Sequence, residues 1–126
     1  MAMTGGTVGK SLLVNVLPEP MIVNQRVATI KVLEGTCATY VDIVIRAEGV
    51  QAAIQKAKNS TNDNISMNDI KGFAVPLPPL EEQFRIVAKV DELMAFCDQL
   101  KASIKAATAA QSTLSAALIQ QALEAA

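Results

Sequence analysis

The run Gly5-Gly6-Thr7-Val8-Gly9-Lys10-Ser11 sets glycines ahead of a lysine and a hydroxyl, the ingredients of a loop that cradles phosphate with backbone amides. That loop requires GxxxxGK[ST], which would put its first glycine at position 4, where Thr4 stands. It should also follow a buried strand and open a helix, yet residues 12–16 lead to Pro18. The spacing predicts a glycine turn entering a strand, and disfavours an ATPase. Asn24-Gln25-Arg26 carries chemistry of another kind. Amide side chains and an arginine are the groups that read adenine and guanine edges in the major groove of DNA. The same triplet also suits a polar turn held by local side-chain-to-backbone bonds.

Other reactive groups are sparse. The chain has no histidine, which removes the Ser–His and Cys–His nucleophile pairs and every His-ligated metal site. Cys37 and Cys97 form no CxxC pair, and Cys97 reads as a small hydrophobe. Asp63, Asp69, Asp91 and Glu92 do not cluster, so they read as solvated surface. No metal site, cofactor or catalytic constellation is expected, and the chain is not expected to be an enzyme. Lys10, Lys31, Lys56, Lys58 and Lys71 could touch phosphates. However, residues 1–78 hold seven Lys/Arg against six Asp/Glu, so bulk charge alone does not attract nucleic acid.

These groups must be carried by a small scaffold. With 126 residues, 51% of them hydrophobic and 18% charged, the chain can hold one ordinary domain and is not disordered by composition. No secretory signal is visible at the start, and two cysteines do not make a disulfide scaffold. The uncharged run 106–123 has membrane length but carries Thr108, Gln111, Ser112, Thr113, Ser115, Gln120 and Gln121, costly in hydrocarbon. A cytoplasmic protein with no membrane partner is expected.

The pattern changes at Pro76-Leu77-Pro78-Pro79, after which neither Gly nor Pro occurs. Before it, residues 11–16 and 21–23 read as strands separated by Pro18-Glu19-Pro20. The alternation in residues 27–33 predicts a third strand, and residues 73–75 a last one. Residues 40–58 take helical spacing, with Gly49 expected to separate a pair of short helices. Residues 59–64 form a polar loop. The expected fold is therefore α+β: a small mixed lobe with short strands and one or two helices, then one long C-terminal helix.

That helix is predicted over residues 80–124, with Pro79 at its first position and Glu81 and Glu82 facing the positive end of its dipole. Apolar positions recur at a 3.5-residue period: Ile86, Val90, Leu93, Cys97, Leu100, Ile104, Ala107, then Gln111, Leu114, Leu118 and Gln121. Such a period is the seam of a coiled coil. At about 1.5 Å per residue the helix would be roughly 68 Å long, against roughly 25 Å for a lobe of the preceding residues. The seam therefore needs a partner. Seven of its members are large aliphatics, offering on the order of 10 kcal/mol on pairing before association costs. Gln111 reads as a register device.

The run Asn64-Ile65-Ser66 is followed by Ile70-Lys71 and by Val75-Pro76-Leu77-Pro78-Pro79-Leu80-Glu81-Glu82-Gln83. Ile86-Val87, Val90-Asp91-Glu92-Leu93 and Cys97-Asp98-Gln99-Leu100 come next. This succession resembles the end of a DNA-specificity (S) subunit of type I restriction-modification systems, and Asn24-Gln25-Arg26 is similar to that family's Asn-Gln-Arg element. The resemblance is strongest over residues 59–100. It departs from the family's Gly-x-Thr-Gln loop, with Asn59 and Asn62 at the Gly and Gln places. It implies two target recognition domains, each reading half of a split site in double-stranded DNA, joined by two long helices packed antiparallel as a spacer. It also implies a non-catalytic subunit that docks methyltransferase (M) subunits, which methylate adenine with S-adenosylmethionine, in a complex that recruits restriction (R) subunits.

On this resemblance residues 1–78 are the later portion of the second recognition domain and residues 79–126 the spacer helix, so a fragment is expected. Lys10, Asn24, Gln25, Arg26, Thr61 and Asn62 become the candidate DNA-binding residues. The seam from Ile86 to Leu118 becomes the helix-partner interface. Alone, the chain is expected to form a homodimer through an antiparallel coiled coil. The rival expectation is a coiled-coil interaction module whose lobe has no nucleic-acid role.

Overall fold

The computed structural model describes residues 1–16, 19–58 and 63–124. Four helices follow in chain order: α1 (Ala38–Arg46), α2 (Glu48–Ala57), α3 (Met67–Gly72) and α4 (Leu80–Glu124). A 3-10 turn, Gly5–Thr7, precedes them. Two compact units divide the chain, Met1–Val87 and Ala88–Ala126.

The expected α+β lobe is overturned. Among the described residues the extended chain pairs at two isolated antiparallel bridges, Ala2 with Val27 and Thr4 with Asn64. No strand forms at residues 11–16, 21–23, 27–33 or 73–75. Pro18 lies outside the described residues. The alternation over residues 27–33 does bury Ala28, but it leaves Val27, Ile30 and Val32 exposed. A ladder needs a second backbone to receive its N–H and C=O groups. The segments that could supply one are themselves exposed at Leu12, Val14, Val16, Met21 and Ile22. Helices dominate instead.

The helical spacing of residues 40–58 is realised as α1 and α2, but the break falls at Ala47 rather than Gly49. Ala47, at φ −65° and ψ 147°, ends α1 and caps α2. Gly49 sits inside the first turn of α2, where no backbone amide yet has a helical partner to lose. The corner is held by Gln51, whose Nε2 donates to the Ile45 carbonyl at 2.7 Å and to the Gly9 carbonyl at 3.2 Å. Gly9 has φ +86°, and a Cβ there would stand 2.8 Å from Gln51 Oε1. Only glycine fits that approach.

In the first unit Met3, Val8, Ala28, Ile54 and Ile65 form a buried cluster, with Val50, Ala57, Ile70 and Phe73 packed against it. Each large aliphatic so buried contributes about 1.5–3 kcal/mol. The helix α3 is an addition to the expected elements. It starts at a capping box in which Asp69 N–H donates to Ser66 Oγ while Asp69 Oδ2 accepts from the Ser66 amide.

The proline-rich stretch is fastened to α1 by two side chains. Tyr40 Oη donates to the Pro76 carbonyl at 2.9 Å. Gln83, only 1% exposed, accepts from the Cys37 amide at 2.8 Å and donates to the Pro78 carbonyl at 2.8 Å. Cys37 is the residue that opens α1, so Gln83 satisfies one of that helix's orphan amides. The first bond of α4 runs from the Gln83 amide to the Pro79 carbonyl at 3.1 Å. Pro79 therefore stands just before the helix, one place earlier than expected. The span Leu80–Glu124 and the acidic first turn, Glu81 and Glu82, are as expected.

In the second unit every described residue from Asp91 to Glu124 is exposed. Surface ion pairs Lys89–Glu92 and Asp98–Lys101 decorate α4 at i,i+3 spacing. Such pairs contribute roughly 0.5 kcal/mol or less each. Among the described residues no helix is long and apolar enough to cross a membrane.

Gln83→Leu keeps the volume and strands two polar backbone groups. It should lower stability by about 1–3 kcal/mol in urea unfolding of the chain. A midpoint equal to wild type would show that Gln83 is not a structural pin.

Candidate nucleic-acid interface

The triplet Asn24-Gln25-Arg26 is a tight turn. Val27 N–H donates to the Asn24 carbonyl at 3.1 Å, and Arg26 N–H donates to Asn24 Oδ1 at 3.0 Å. The Asn24 side chain thus builds the turn, while Gln25 and Arg26 are exposed on it. The turn is anchored through backbone alone: Met3 N–H donates to the Arg26 carbonyl and Ala28 N–H to the Met1 carbonyl, both at 2.9 Å.

The opposite side of residues 1–5 carries the second half of the interface. Ile65 N–H donates to the Met3 carbonyl at 3.0 Å and Gly5 N–H to the Asp63 carbonyl at 3.1 Å. Residues 1–4 therefore lie between the segment holding Arg26 and the segment holding Asn64. Thr4, Gly5, Arg26 and Asn64 line one open hollow of about 340 Å³. Thr61 and Asn62, expected to bind DNA, lie outside the described residues, as do Asn59 and Ser60. The described ends of that loop are linked by Lys58 Nζ and Asp63 Oδ1 at 3.7 Å.

Lys10 is not in this group. It lines a separate hollow of about 390 Å³ with Gly9, Ser11, Arg46 and Gln51. Arg46 pairs there with Asp42 at 2.8 Å and donates to the Ser11 carbonyl and hydroxyl, while Ser11 Oγ donates to Asp42 at 2.6 Å. Sequence reasoning missed Arg46; its i,i+4 spacing from Asp42 was the available signal. Four amides of the glycine run are already engaged and not free to cradle a phosphate. The amides of Gly5, Val8, Gly9 and Lys10 all donate to backbone carbonyls.

Along α4, Ile86 and Val90 are half-buried, while Leu93, Cys97, Leu100, Ile104, Ala107, Gln111, Leu114 and Leu118 are exposed. Leu93, Leu100, Ile104, Leu114 and Leu118 show between 47% and 66% of their surface. Met94 and Phe96 beside them, not singled out from the sequence, extend the apolar strip. Among the described residues no group of His, Cys, Asp and Glu is arranged to hold a metal ion.

Residues 1–108 match the family described as the type I restriction modification DNA specificity domain. The chain belongs to this family. It is 31% identical over 105 residues to the EcoAI specificity subunit of Escherichia coli, covering 82% of this chain and 18% of that subunit. It is 30% identical over 69 residues to the EcoBI specificity subunit of Escherichia coli, covering 55% of this chain and 15% of that one. The EcoEI specificity subunit of the same organism is 26% identical over 121 residues, 92% of this chain and 20% of the relative. The chain thus spans about a fifth or less of the length of the curated relatives it matches. No solved structure gives a significant match. A family of DNA specificity domains agrees with the expectation of a chain that recognises rather than catalyses.

Within the family-like run Asn64-Ile65-Ser66, Ile65 is core and Ser66 caps α3. The Ser66 hydroxyl and then the Ser66 amide, both hydrogen-bonded to Asp69, hold its carboxyl below the usual aspartate range. A lowered folded-state value means the contribution is present above the unfolded carboxylate's range and is lost as pH falls through the folded value. Ser66→Ala should cost about 1 kcal/mol at neutral pH through the lost cap. Part of that gap should also close as pH falls through the lowered folded-state range of the Asp69 carboxyl, which once protonated gains nothing from Ser66 Oγ, while the Asp69 amide's lost cap persists. A gap that stays constant into acid would rule out the Ser66–Asp69 linkage.

Proposed function

We propose that this chain is a non-catalytic DNA-recognition and assembly element of a type I specificity subunit. Residues 1–78 serve as the later portion of a target recognition domain. They contribute contacts to double-stranded DNA through Lys10, Asn24, Gln25, Arg26, Thr61 and Asn62. Residues 79–126 serve as the spacer helix, which sets the separation of recognition domains and docks methyltransferase subunits, with restriction subunits joining through them. The complex works in the cytoplasm.

The observation that carries this reading is the family match over residues 1–108, which takes in both the Asn24–Arg26 turn and about the first two thirds of α4. Two features of the structure support it. Gln25 and Arg26 are exposed on a turn whose backbone is tied down, as groups that read base edges must be. The seam of α4 is exposed over its whole described length beyond Val90, as a surface awaiting another helix must be. In isolation a second copy supplies that helix, giving a homodimer.

Two measurements test the reading. Sedimentation of the chain at micromolar concentration should give a dimer, and Leu100→Glu with Ile104→Glu should return it to monomer. A wild-type monomer would contradict the helix assignment. With methyltransferase subunit present, a gel shift on duplex DNA should weaken steeply as salt rises. A shift indifferent to salt, or none, would favour an interaction module with no nucleic-acid role.

A further inference from the structure

Two hollows carry exposed cations in the first unit, and they differ in charge balance. At Lys10 and Arg46 the Asp42 carboxylate neutralises the arginine, and Ser11 is spent on both. At Arg26 no carboxylate pairs with the guanidinium among the described residues, and the other polar lining groups are a carboxamide, Asn64, and a hydroxyl, Thr4. The second set is a reading set. An arginine fork matches guanine O6 and N7, a carboxamide matches adenine N6 and N7, and a hydroxyl serves either.

We propose that Arg26 and Asn64, 38 positions apart and brought to one hollow by the two bridges of residues 1–4, together read purine edges in the major groove of duplex DNA. The inference rests on the DNA-recognition reading above and adds Asn64, with Thr4 beside it, to the residues that set specificity. The backbone explains why the pair can act as one unit. Met3 donates to the Arg26 carbonyl on one side and its own carbonyl accepts from Ile65 on the other, so both segments are referred to a single residue of the buried cluster. A site held to rigid neighbours through backbone bonds keeps its side chains in register for bidentate contacts. Neighbouring Ile65 and Ser66 have structural work in the core and the α3 cap, whereas Asn64 is exposed and, among the described residues, is held by its backbone bridge to Thr4.

The test takes the full chain, with methyltransferase subunit present as in the gel shift, and a randomised duplex DNA pool. Sequences selected by wild type are then measured by fluorescence anisotropy beside duplexes changed at single base pairs. Asn64→Ala should cut discrimination at one base pair about tenfold while the slope of log affinity against log salt stays unchanged. Arg26→Lys keeps the charge and loses the fork, so it should do the same at a neighbouring pair. Thermal midpoints check folding; should Asn64→Ala unfold, Arg26→Lys decides. Uniform weakening on all duplexes with a shallower salt slope would make these phosphate contacts and overturn the proposal. Unchanged discrimination in both variants would overturn it too. A wild-type chain that selects no sequence would bring down the DNA-recognition reading itself, and this proposal with it.

Discussion

A helix of 45 residues satisfies its backbone internally but cannot cover its own side chains, and that constraint governs the second half of this molecule. Its apolar residues follow a 3.5-residue period, so they keep to one line only if α4 winds slightly about a partner. Local devices stabilise α4 only modestly. The i,i+3 ion pairs are exposed, and Thr108 and Thr113 merely return their hydroxyls to carbonyls four residues back. From Ala102 onward alanine supplies helical propensity rather than contacts. The large remaining reserve of free energy is the aliphatic seam, and it is released only on association.

The first unit solves a different problem, which is to hold polar groups outward on a small core. Its buried cluster draws on four separated stretches of chain, contributing Met3 and Val8, Ala28, Ile54, and Ile65. Polar side chains act as the fasteners between these stretches. Gln51 closes the α1–α2 corner and Gln83 joins the Cys37 amide to the Pro78 carbonyl. The exposed turn at Asn24 and the exposed Asn64 are then fixed by main-chain bonds. Substitution of the exposed Gln25, Arg26 or Asn64 side chains leaves those main-chain bonds in place.

Much of this is legible in the residues, and the gaps have physical causes. The boundaries of α4 are readable because its period runs unbroken and Gly and Pro stop at its threshold. α1 and α2 are readable from their apolar spacing, but glycine is the wrong marker for the break. A glycine in a first turn forfeits little, whereas the break at Ala47 depends on Gln51, a contact no local pattern reports. The strands fail for a related reason. Alternation records that a segment is pleated and half covered, as Ala28 is, without saying whether another backbone lies alongside. α3 is one short turn beyond a Ser-x-x-Asp cap, whose only local signal is the pair Ser66 and Asp69. Of the candidate site, the Asn24–Arg26 turn is visible as a triplet. Its company with Asn64 is not, because the bridges that join them are made by backbone atoms of Met1, Met3 and Gly5.

The claim at the centre is that α4 keeps its seam open until another helix covers it. Amide hydrogen exchange over residues 91–124, followed across a wide range of chain concentration, addresses it most directly. Protection should rise with concentration, most strongly around Leu93, Leu100, Ile104, Leu114 and Leu118. Protection that is the same at every concentration, or that breaks in the middle of α4 as in a folded-back hairpin, would contradict it.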